Sequence, residues 1–183
     1  MNKIVSRVAL VIGVLVALVV PSLPAYASPF GQGVFGADVP FGSATSISIN
    51  LGGDVPVTLS PSGGNFSGSG SHIITVTSTD VVGYYLYAHT TGTTNMTNGS
   101  AVIPASANST ETPLSVGSWG YNTSGSTTDF IGMNATSVLL KDASGPFKSG
   151  DPTTVTYGAL TNNTQAAGNY SVAVTYTAVA KNQ

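Results

Sequence analysis

Tyr170-Ser171-Val172-Ala173-Val174-Thr175-Tyr176-Thr177-Ala178 places Tyr170, Val172, Val174, Tyr176 and Ala178 on one side of an extended chain, and Ser171, Ala173, Thr175 and Thr177 on the other. Successive strand residues point to opposite faces, so this stretch is a strand with one side buried. The same period of two recurs upstream. In Val82–His89 one face takes Tyr84, Leu86 and Ala88, and the other takes Tyr85, Tyr87 and His89. Ile74-Thr75-Val76-Thr77 and Val155-Thr156-Tyr157-Gly158-Ala159 alternate likewise. Val, Ile, Thr and Tyr fit a pleated surface. Gly, Asn and Pro punctuate the runs at Gly52-Gly53, Gly63-Gly64-Asn65, Asn98-Gly99, Ser144-Gly145-Pro146 and Gly150-Asp151-Pro152.

Nine short strands are therefore predicted, near 44–50, 55–60, 72–79, 82–90, 101–103, 113–119, 136–140, 153–160 and 169–179. Thr90–Ser100 is predicted to be a loop. No amphipathic helix interrupts them. That pattern predicts an all-β fold, a single β-sandwich of immunoglobulin-like or jelly-roll type, over residues 44–183.

The N-terminus is of another kind. Lys3 and Arg7 precede Ala9–Val20, twelve residues that are all apolar or Gly; Pro21 ends the run, and Ala25-Tyr26-Ala27 offers small residues for cleavage. This order predicts a secretory signal peptide over 1–27. At ~1.5 Å per residue the run would make about 18 Å of helix, short of a ~30 Å hydrocarbon core. Residues 28–43 are expected to form an extended arm, in which Phe30, Phe35 and Phe41 stand among Gly and Pro. The aromatics either pack on the domain behind them or dock on another subunit by strand addition.

After position 27 the chain keeps three lysines and no arginine against seven acids, a formal charge of −4. No basic stripe is available for nucleic acid or for anionic lipid. There is no cysteine, so the domain is expected to hold together by its core alone, and a bacterial or archaeal exterior is the expected setting.

Residues that could carry chemistry are few. His72 and His89 are the two histidines; both fall on predicted strands and read as structural. There is no nucleophile elbow, no zinc ligand set and no paired carboxylates. Asp142 and Asp151 share the stretch Lys141–Asp151, a conceivable calcium loop that Lys141 and Lys148 oppose. No catalysis and no cofactor are expected. Exposed aromatics are the remaining candidates: Tyr85, Tyr87, Trp119 and Tyr121 as glycan contacts, with Trp119 read rather as core. Asn-x-Ser/Thr occurs at Asn65, Asn95, Asn98, Asn108, Asn122, Asn134, Asn162 and Asn169, which matters only in an organism that glycosylates asparagine.

Three segments carry a resemblance: Ile73–Tyr87 (IITVTSTDVVGYYLY), Leu114–Tyr121 (LSVGSWGY) and Thr153–Ala178. In that order they resemble small exported surface proteins of Gram-positive and candidate-phylum bacteria, and the last hairpin is similar to the ends of WxL-type wall-binding domains and of fimbrial and spore-coat-type subunits. The resemblance implies an immunoglobulin-like or jelly-roll domain displayed in a filament or on the wall, with no catalytic residues carried over. The chain lacks the Leu-Pro-x-Thr-Gly sorting signal, a C-terminal hydrophobic tail and paired Trp-x-Leu motifs, so covalent wall anchoring is not expected. The expected function is a secreted structural or adhesive subunit that assembles with itself through Phe30, Phe35 and Phe41 or through strand edges; the alternative is a cell-wall glycan binder.

Overall fold

The computed structural model describes residues 45–181, which form twelve strands and, among the described residues, no helix. The protein is all-β. The predicted signal peptide and the arm with Phe30, Phe35 and Phe41 lie outside the described residues.

The larger sheet is built on β3 (Asn65–Thr79) and β11 (Asp151–Thr161), which run antiparallel side by side. β1 (Ser46–Leu51) pairs with the second half of β3, and β8 (Ser118–Asn122) pairs with β11. The short β2 (Ser60–Ser62) turns directly into β3. Gly63 and Gly64 make that turn with φ of +59° and +85°. Both signs are positive, as a tight two-residue hairpin requires, and only glycine adopts such a pair readily.

The smaller sheet has β4 (Gly83–Thr90) at its centre, between β10 (Val138–Ser144) and β12 (Val174–Lys181). Two ribbons complete the fold: β5 (Met96–Asn98) with β6 (Ala101–Ile103), and β7 (Thr112–Pro113) with β9 (Asp129–Phe130).

One core draws on both sheets. Ile74 and Val76 of β3, Tyr84, Leu86 and Ala88 of β4, and Val155, Tyr157 and Ala159 of β11 are all buried. These are the positions that alternation assigns to one face, and each large apolar side chain so buried contributes roughly 1.5–3 kcal/mol. Trp119 and Tyr121 of β8 extend the core, and Tyr84 meets Phe147 edge to face at 5.6 Å. At one end the sheets are tied by charge. Tyr84 donates its hydroxyl to Asp151 Oδ2 at 2.7 Å, and Lys141 Nζ sits 2.7 Å from Asp151 Oδ1.

The large sheet is also covered on its second face. Gly120 and Gly158 face each other across β8 and β11, and the buried Phe130 ring occupies the trough they leave. A methyl group on Gly158 would overlap that ring, and one on Gly120 would stand 2.5 Å from the Ile131 carbonyl oxygen.

Several predicted strands are displaced. Val55, Val57 and Leu59 alternate as predicted, and all three are half-buried, but 55–59 forms no ladder. Pro56 has no N–H to give. The segment instead crosses β3 where glycines clear the way, with the Pro56 carbonyl oxygen 2.6 Å from where a Gly70 side chain would begin. The predicted 113–119 strand is two pieces, β7 and β8, parted by a turn at Gly117 with φ of +84°. The last strand begins at Val174 rather than 169, because Ser171 exchanges two backbone hydrogen bonds with Thr97 of β5. The predicted Thr90–Ser100 loop therefore contains a strand. Lys141–Asp151 is no calcium loop: its first four residues finish β10, Asp151 starts β11, and Asp142 and Asp151 are paired with Lys181 and Lys141.

Candidate functional site

β3, β11 and β12 bring His72, Tyr157 and Tyr176 together on the inner faces of the two sheets. The Gly53 carbonyl can only accept, so His72 Nδ1 donates to it, at 3.0 Å. Nε2 is then the acceptor for the Tyr176 hydroxyl, 2.9 Å away, and Tyr176 oxygen accepts in turn from the Tyr157 hydroxyl. Every polar side-chain atom of this trio has a partner. Burial pushes the Tyr176 phenol up to about 12, against the pull of its bond from Tyr157. Burial raises Tyr157 further, reinforced by Tyr176. Both hydroxyls keep their protons at any physiological pH.

The three side chains stand in a cleft of about 550 Å³. Leu51, Val55, Val57, Tyr170, Val172 and Val174 line it together with Asp54 and Ser171, and the fully buried Trp119 forms part of its wall. The size matches that of ligand sites in general. Because the hydroxyl–imidazole chain is internally satisfied, the wall a ligand meets is mostly aliphatic and aromatic. Such a wall suits the burial of apolar side chains.

The cleft lies where the two sheets expose unpaired edges. Among the described residues β1 pairs only with β3, and β12 only with β4. Ile49 and Leu51 share a face with buried Val76 and Ile74 by register, yet they are 36% and 47% exposed. Neither β1 nor β12 carries a proline or a bulge, and the only charge in either is the terminal Lys181. The opposite edges differ. β10 is broken by a register shift between Leu139 and Lys141, and Lys141 reaches across to Asp151 on the other sheet. β8 is covered by irregular chain: Ser106 N–H donates to the Trp119 carbonyl at 2.7 Å, and Tyr121 N–H to that of Ile131 at 2.8 Å. Bulges, inward charges and covering loops are the devices by which sheets block further pairing. Among the described residues they guard one side of the molecule; on the other, β1 and β12 carry none of them and instead pack against each other.

The aromatics predicted as glycan contacts divide. Tyr85 and Tyr87 are half-buried on the outer face of the small sheet, their rings 6.1 Å apart. Leu139 and Val179 flank them in register, 50% and 46% exposed. Lys181 Nζ stands 4.4 Å from the Tyr85 ring centre. Trp119 is fully buried, donating its indole N–H to the Thr94 carbonyl at 2.9 Å, and Tyr121 is buried with its phenol raised by desolvation and by Glu111. Those two belong to the interior. His89 lies on the outer face beside Tyr87, with Ser137 Oγ 3.5 Å from its Nδ1.

The cleft residues Leu51, Tyr157, Tyr170 and Tyr176 were not among the sequence candidates. Alternation put Tyr170 and Tyr176 on one face; that this face meets His72 depends on how the sheets are placed. No protein-family model, curated protein or solved structure matches the chain.

Proposed function

We propose that the protein is a secreted structural or adhesive surface subunit, a component of a filament, matrix or coat, whose β-sandwich domain joins other copies through its N-terminal arm or its free strand edges. The observation that carries this reading is the inequality of the edges. A long strand without bulge or proline invites pairing with another chain, and β1 and β12 are both left that way beside an apolar cleft. The nearly charge-free surface, with 7% charged residues, offers little repulsion between copies. The test is negative-stain microscopy and sedimentation of the exported protein over a range of concentrations. Concentration-dependent particles or fibres are expected; a protein that stays monomeric at the highest concentration refutes the reading.

One observation favours a second reading, a cell-wall glycan binder: the outward pair Tyr85 and Tyr87, their rings tilted 43° to each other, with Leu139 beside them, offers adjacent aromatic faces to sugar rings. Pull-down on peptidoglycan and chitin separates the two. Binding by monomer, abolished in Tyr87→Ala, would support the second; no binding under any condition would remove it.

A further inference from the structure

The sequence offers an occupant for the apolar cleft between β1 and β12. Residues 35–41 read Phe-Gly-Ala-Asp-Val-Pro-Phe. Extended, this segment places Phe35, Ala37, Val39 and Phe41 on one side, and Gly36, Asp38 and Pro40 on the other. One side is wholly apolar, and the one charge is on the side that would face water. The cleft wall suits it: Leu51, Val55, Val172 and Val174 are aliphatic, and no polar atom of the His72–Tyr176–Tyr157 chain would be stranded by an apolar guest, while the exposed Asp54 lines the cleft as well, where its charge can stay in water.

Reach decides which copy supplies it. The cleft opens near Leu51, six residues along from Thr45, or about 20 Å at ~3.3 Å per strand residue. Phe41 is four residues before Thr45 and can lie at most ~14 Å from it. A chain can bring its own Phe35, ten residues before Thr45, as far as Leu51, but not its own Phe41, so both aromatics can enter the cleft together only from a second copy. We infer that the β1–β12 cleft of one copy receives the Phe35–Phe41 segment of a second copy, with Phe35 and Phe41 as the anchoring side chains. This rests on the self-assembly reading above and gives it a donor and an acceptor.

A mixing experiment with the full exported chain tests it. The donor variant is Phe35→Ser with Phe41→Ser. The acceptor variant is Leu51→Asp, at a side chain exposed enough for the charge not to unfold the sheet; Val172→Asp is a second acceptor variant, and Trp119 fluorescence verifies that each is folded. Each variant alone should be monomeric by sedimentation. The two mixed should form a one-to-one pair and stop there, since one intact arm meets one intact cleft. If wild-type protein does not assemble, the self-assembly reading falls, and this inference with it. If wild-type assembles and both folded acceptor variants assemble equally well, the cleft is not the acceptor, while self-assembly stands. If the donor variant assembles as wild-type does, the segment is not the donor. Monomers that never pair on mixing overturn the inference as well.

Discussion

Gly158→Ala should destabilise the protein, although alanine usually improves on glycine within a strand by about 0.5–1 kcal/mol. Gly158 is in β11 with Gly120 opposite, and Phe130 lies over both. An added methyl would overlap three carbons of the Phe130 ring, and overpacking of this kind costs about 1–3 kcal/mol. The net expectation is a loss of about 1–2 kcal/mol. Phe130→Ala should cost about 3–5 kcal/mol, because the ring is buried and its removal leaves a trough floored by two glycines. The double variant settles the cause. With the ring gone the methyl added at position 158 has space, so Gly158→Ala should stabilise the Phe130→Ala background while destabilising the wild type, a coupling of about 2 kcal/mol. Urea unfolding followed by the fluorescence of Trp119, the single tryptophan and a neighbour in β8, reads all four proteins. Melting temperatures should show Phe130→Ala lower by roughly 10 °C. Additive effects, or a wild-type background stabilised by Gly158→Ala, would refute the view that the glycine pair exists to admit the ring.

The remaining expectations concern polar groups. In the folded chain burial keeps the proton on Tyr176 up to about 12, whereas the ordinary phenol loses it near 10.0. Between those values the folded state holds the extra proton, so stability is whole below about pH 10 and falls as pH rises toward 12; Tyr176→Phe should flatten that fall in alkaline unfolding curves. Asn122 is fully buried, donates its amide to the carbonyls of Ser126 and Asp129 at 2.8 and 2.7 Å, and accepts from Gly125 N–H at 3.1 Å. Asn122→Ala should cost about 1–3 kcal/mol per orphaned group and open 123–128 to proteolysis, seen as new cleavage by peptide mapping. For the same reason the Asn122 sequon should stay unmodified in a host that glycosylates asparagine, with an intact-mass increment at that peptide as the contrary result. Tyr84→Phe removes the hydroxyl bonded to Asp151; a bond to a charged group is worth about 1.5–3 kcal/mol, and denaturant titration should find a loss of that order.

The alternation in Val82–His89 and Tyr170–Ala178 is written in residue order, because a strand's two faces are set by parity alone. It determined that the protein is all-β, that Tyr84, Leu86 and Ala88 turn inward, and that Tyr85 and Tyr87 turn outward. Parity does not say which strand lies beside which, nor what covers a face. Val55–Leu59 keeps its period yet gains no ladder, since its path is fixed by Gly70 and by the missing N–H of Pro56, positions that touch only once β3 is in place. Gly120, Phe130 and Gly158 look unrelated in the sequence and form one packed unit in space. His72 and Tyr176 are 104 residues apart, and no local rule joins them. Short-range sterics act between neighbours in the chain, so composition and period expose them. Contacts between sheets depend on the docking of whole surfaces, and that is where the cleft and the inequality of the edges were decided.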